Sequence, residues 1–109
     1  MITSLQIAWA AGIYEGEGSC GWTGRHKNCQ EAIIVQKDRW LLEKFVELFG
    51  GRISTHGSCS KWKVTGPTAR GFLMTVYTFL SPRRKEQVKA CGVFNRFDGI
   101  LNRRPGGQK

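Results

Sequence analysis

Ala10-Ala11-Gly12-Ile13-Tyr14-Glu15-Gly16-Glu17-Gly18 closes an apolar stretch with two carboxylates, and it occurs once in the chain. Ala8, Gly12 and Gly16 recur every four residues and so share one face of a helix, with Leu5, Trp9 and Ile13 forming a bulky ridge beside them. A face lined by Gly and Ala lets two backbones approach closely. The pattern predicts a helix over residues 3–15, ended by Gly16 and Gly18, that packs against a copy of itself through Ala8, Gly12 and Gly16. The two Glu17 side chains then meet.

Working outward, the chain has 109 residues, enough for one small domain with a core that needs no covalent staple. Lysines and arginines number 17 against 8 acids, a formal net charge of +9 that points to a polyanionic partner, most simply nucleic acid. No apolar run is long enough to cross a bilayer, and MITSLQIAWAAG has no basic segment before its apolar residues, so an intracellular chain that is neither secreted nor membrane-bound is expected. Cys20, Cys29, Cys59 and Cys91 lack the paired short spacing of a structural zinc site, and His26 and His56 do not supply it. Free thiols are the favoured reading.

Period and punctuation supply the layout. A strand over residues 19–26 sets Cys20 and Trp22 on one face and Gly21, Thr23 and Arg25 on the other. Lys27-Asn28 makes a turn, and a second strand over residues 30–36 holds Ile33-Ile34-Val35, a run that leaves its inward face undetermined. Asp38 is placed to cap a helix carrying Trp40, Leu41, Phe45, Leu48 and Phe49 and stopped by Gly50-Gly51. A second hairpin, residues 52–56 and 61–65 around Gly57-Ser58, puts Ile53, Trp62 and Val64 inward and Ser54, His56, Lys61 and Lys63 outward. Pro67 opens a third helix with Phe72, Leu73, Val76, Tyr77 and Leu80. Ser81-Pro82 starts a fourth with Val88, Cys91 and Phe94. The result is an α+β chain whose four strands form one antiparallel sheet with helices on one face. The open face then offers Thr23, Arg25, Ser54, His56, Lys61 and Lys63, joined by Lys27 and Gln30, to double-stranded DNA.

AAGIYEGEG resembles the nine-residue signature of the LAGLIDADG homing endonucleases, with Ala for the leading Leu and Glu for both Asp residues. The resemblance extends over residues 1–97 as a single domain, with residues 98–109, DGILNRRPGGQK, left as a basic, flexible tail. It implies an αββαββα core, a sequence-specific double-strand DNA endonuclease, and magnesium or another divalent cation such as manganese, with no small-molecule cofactor. In that family the second acid of the motif binds the catalytic metal and the first is structural. Glu17 and Glu15 hold those places here, with the Gly16 carbonyl completing an oxygen site. The resemblance also implies that Gln36 orders water near the scissile phosphate, and that one of Arg83, Arg84 and Lys85 is the active-site cation; Arg84 keeps the family's spacing to Gln87, and Lys85 is the lysine offered. A single motif implies a homodimer and a roughly palindromic target. A non-cleaving DNA-binding regulator or an intron-RNA maturase on the same fold is the alternative.

Overall fold

The computed structural model describes residues 2–23 and 29–92. Thr3 opens α1 (Ser4–Glu17) with a capping box: its hydroxyl accepts the Gln6 N–H at 3.1 Å, and the Gln6 amide oxygen accepts the Thr3 N–H at 2.8 Å. β1 (Gly18–Thr23) and β2 (Cys29–Gln36) pair antiparallel. Asp38 then caps α2 (Arg39–Phe49), its carboxylate accepting the Trp40 N–H at 3.0 Å. β3 (Arg52–His56), β4 (Cys59–Thr65), α3 (Gly66–Val76), a short 3₁₀ turn (Tyr77–Phe79) and α4 (Pro82–Ala90) follow. The strands form one antiparallel sheet in the order β1-β2-β4-β3. This is the α+β order read from the sequence.

Alternation fixes which side of the sheet is buried. Ala32 and Ile34 on β2 and Trp62 and Val64 on β4 point to the helices, where they meet Leu42 and Phe45 of α2, and Ala69, Phe72, Leu73 and Val76 of α3. Ala10, Ala11 and Tyr14 are the buried side of α1. Phe45, Trp62 and Phe72 lie with ring centroids 4.9–6.0 Å apart in tilted and edge-on contacts, the geometry aromatic rings prefer. The Trp62 indole N–H donates to the Gly50 carbonyl at 2.8 Å, which ties the second hairpin to the end of α2. Gly51 has a positive φ of 97°, and a Cβ there would run into Val64 and the Lys63 carbonyl. Only Gly serves at that position.

Several boundaries differ from the sequence reading. α1 runs through Gly16 to Glu17, because partners from α4 hold its last turn, as described below. α3 stops at Val76 and tightens into the 3₁₀ turn before Leu80. β2 and β4 begin earlier, at Cys29 and Cys59. β1 is described as far as Thr23; Arg25, Lys27, Phe94 and residues 98–109 lie outside the described residues. No helix among the described residues is long and apolar enough to cross a membrane.

Candidate functional site

The site begins where α1 hands over to β1. The Gly18 N–H bonds to the Tyr14 carbonyl, and a Cβ on Gly18 would overlap the Tyr14 ring, so the turn from helix to strand is drawn tight against that ring. The last carbonyls of a helix have no partner within it. Arg84 of α4 supplies one from outside: its Nε donates to the Glu15 carbonyl at 2.9 Å and its Nη1 to the Gly18 carbonyl at 2.7 Å. Nη1 also reaches the Gln87 amide oxygen at 2.9 Å. The guanidinium lies over the Tyr14 ring, 5.8 Å from its centroid. The Glu15 carboxylate turns back and accepts the Ser81 N–H at 2.8 Å, beside the Ser81 cap of α4. These bonds to Ser81, with the charges of Arg84 and Arg83, hold the Glu15 carboxyl below the usual carboxylate range. The end of α1 and the start of α4 are clamped at one point.

Glu17 faces solvent just past that clamp, and one carboxylate oxygen accepts the Gln36 Nε2 at 3.0 Å. The Gln36 amide oxygen in turn accepts the Lys37 N–H at 3.0 Å, which fixes the amide with its nitrogen toward Glu17. Gln36 ends β2, and β1 begins to pair with that strand at Gly18, opposite Ile34. The candidate ligands here are oxygen atoms, a carboxylate and the carbonyl of Gly16 beside it in the chain, a type that suits a hard divalent cation. No group of three His, Cys, Asp or Glu side chains converges among the described residues. Among the described residues of one copy, the Glu17 carboxylate is not joined by a second acidic side chain in such a group.

Arg84, Lys85 and Arg83 are not equivalent. Arg84 is bound to the helix end that carries Glu17; Lys85 lies over the Tyr77 ring, 5.5 Å from its centroid; Arg83 is exposed.

The open face of the sheet is laid out in rows by the strand register. Val35, Lys61 and Ser54 form the row nearest Glu17; Ser19, Ile33, Lys63 and Arg52 form the next; Gly21, Glu31 and Thr65 follow. Thr23, His56, Ser54, Lys61 and Lys63 thus occupy the face the sequence assigned them, and His56 is linked to the Ser54 hydroxyl at 3.2 Å. Gln30 does not. It points inward, 4 % exposed, its amide nitrogen donating to the Gly92 carbonyl at 3.1 Å and its oxygen accepting from Arg70 at 3.0 Å. A polar side chain in that position is taken up by its buried partners, so Gln30 is removed from the set of DNA contacts. Two features of this face were missed. Arg52 shares parity with Ser54 and could have been found by counting back two residues. Ile33 and Val35 emerge on the same side, and nothing in the run Ile33-Ile34-Val35 distinguishes that parity from its opposite. Glu31 also faces this way and pairs with Lys63 at 3.5 Å.

On α1, Ala8, Gly12 and Gly16 are exposed, and a Cβ on either glycine would meet nothing within 4 Å. Leu5 joins them, 82 % exposed, while Trp9 and Ile13 of the expected ridge pack partly against the core. The uncovered face of the helix holds no charge along these four positions.

No family model matches the sequence, and no curated protein matches it. Solved structures do match. The homing endonuclease I-CvuI, solved with the I-CreI target in the presence of magnesium, superposes with a TM-score of 0.66 at 16 % identity, covering 87 % of this chain and 69 % of that one. The archaeal intron-encoded homing endonuclease I-Vdi141I, solved with DNA, gives 0.64 at 20 % identity, covering 90 % and 70 %. The homing endonuclease I-TnaI gives 0.61 at 21 % identity, covering 89 % and 77 %. At these identities the likeness is one of architecture, and the chain has the fold of the LAGLIDADG homing endonucleases, whose nine-residue signature its residues 10–18 resemble.

Proposed function

We propose that this chain is a sequence-specific double-strand DNA endonuclease, active as a homodimer with a divalent cation, and that Glu17 is its metal ligand. The observation that carries this reading is the Gln36 to Glu17 hydrogen bond, which sets a solvent-facing carboxylate and an oriented amide at the edge of a basic sheet face. The net charge of +9 and the structural relatives solved with DNA support the choice of partner.

Two copies associate through Ala8, Gly12 and Gly16 of α1, with Leu5 at the edge of the contact. This brings two Glu17 carboxylates and the adjoining Gly16 carbonyls to the middle of the duplex. The Glu17 carboxylates and Gly16 carbonyls would hold a cation, magnesium or manganese, that would supply Lewis acidity and a nucleophilic hydroxide near neutral pH. Gln36 orients water through the amide that also steadies Glu17. Arg84 is a positioning residue: it fixes the Glu15–Gly18 backbone and places positive charge beside the developing phosphate charge. Lys85 is the second cation of the segment and offsets backbone charge. Thr23, Ser54, His56, Lys61 and Lys63 line the major groove of each half-site, with Arg25 and Lys27 as further contacts drawn from the sequence alone. Two-fold symmetry then gives a roughly palindromic target cut on both strands.

Cleavage selection from a randomised duplex library, run with magnesium and with EDTA, tests the proposal. Recovery of a roughly palindromic site cut on both strands in magnesium alone supports it. Enrichment of a bound sequence that is never cut selects the regulator reading instead.

A further inference from the structure

We infer that Ile33 and Val35 read the C5-methyl groups of two thymines in each half-site, with the Val35 thymine nearer the dyad of the target. This rests on the DNA-binding reading above and adds to it a base preference at two positions.

The observation is an apolar ridge in a basic surface. Val35 is 45 % exposed, and Ile33 is half-buried, both on the open side of β2, one of the two central strands. Across the sheet Val35 pairs with Lys61, whose ammonium draws the duplex onto it, and Ile33 pairs with Lys63, whose ammonium also lies 3.5 Å from Glu31. An exposed aliphatic side chain on a wet face gains nothing from burial within one chain. Against the major groove it does, because among base edges there the thymine methyl is the apolar group. A guanine or cytosine edge at the same place would lose its water to a methyl surface that cannot hydrogen-bond.

The register gives the spacing. Ile33 and Val35 are two residues apart, about 6.8 Å along an antiparallel strand, which matches about two base-pair steps of 3.4 Å. Val35 immediately precedes Gln36, whose amide bonds Glu17, so its thymine is the inner one, next to the scissile region.

The experiment is a binding selection with the full chain from a randomised duplex library in calcium. Single thymines of the selected duplex are then replaced by deoxyuridine, which removes only the methyl. For the wild type, two positions about two base pairs apart in each half-site should each lose about fourfold in affinity, the worth of one buried methyl. Changing both half-sites together should multiply the losses to about 15-fold. In Val35→Ser the inner position should become indifferent to the methyl, and in Ile33→Ser the outer one; serine carries no methyl to meet the thymine, and circular dichroism checks that each variant keeps the fold. Deoxyuridine tolerated at every position, or losses that persist in both variants, overturns the inference while leaving the DNA-binding reading intact. Enrichment of no sequence overturns both.

Discussion

Gln36 donates its amide N–H to the Glu17 carboxylate at 3.0 Å, and this bond joins the end of β2 to the end of α1. The amide is itself held by the Lys37 N–H, so it is pre-set before any ligand arrives. Gln36→Ala removes the orienting group and leaves Glu17 exposed as before. Cleavage should fall by about 10²-fold through misplacement of Glu17 and its water, while affinity for the same DNA and the melting temperature stay near wild type. A matching loss of affinity would instead make Gln36 a DNA contact.

Gly12 tests the interface. A Cβ there meets nothing within 4 Å in one chain, so Gly12→Leu fits the isolated protomer and removes the flexibility of a helical glycine, worth roughly 0.5–1 kcal/mol. The variant should sediment as a monomer, remain folded by circular dichroism and lose double-strand cleavage. A Gly12→Leu dimer with full activity excludes this face as the contact.

Glu15 gives the protein an acid-dependent stability. Its ionised form is favoured by the Ser81 N–H, the Ser81 hydroxyl and the Arg84 charge, so its folded pKa lies below the unfolded value of 4.5. The stabilisation is complete above the unfolded value and is lost as pH falls through the folded one. In Glu15→Gln that contribution is absent at every pH. The difference in melting temperature between wild type and variant should therefore be largest near neutral pH and shrink as the solution is made acidic.

Arg84 holds two backbone carbonyls with one planar group, a task a lysine cannot copy. Arg84→Ala should cost about 2 kcal/mol in urea unfolding, the scale of hydrogen bonds to a charged group, and Arg84→Lys should recover only part of it. Full recovery by lysine would mean that charge alone matters.

The thiols differ in reactivity. Cys91 is buried and its thiol lies 2.6 Å from the Cys20 sulfur; burial first, then that neighbour, push it up to about 12. Cys29 is exposed. Alkylation of the native protein, followed by mass spectrometry, should modify Cys29 early and Cys91 last. Equal rates would contradict this packing.

Much of the architecture was legible because local signals agreed: Asp38 and Ser81 cap their helices, and alternation placed Lys61, Trp62 and Lys63 on the correct sides. What failed was set by tertiary partners. Gly16 reads as a helix stop, yet Arg84, nearly seventy residues away, satisfies the carbonyls that would otherwise end the helix there. Gln30 reads as a polar surface residue, and only Arg70 and Gly92 reveal why it turns inward. Ile33, Ile34 and Val35 are all β-branched and apolar, and only the pairing of Ile34 with the buried Trp62 shows which parity faces the core.

The central claim is that Glu17 serves chemistry rather than binding. On the duplex recovered from selection, Glu17→Gln should bind with near wild-type affinity in calcium and cut neither strand in magnesium. Cleavage by Glu17→Gln at the wild-type rate would contradict it.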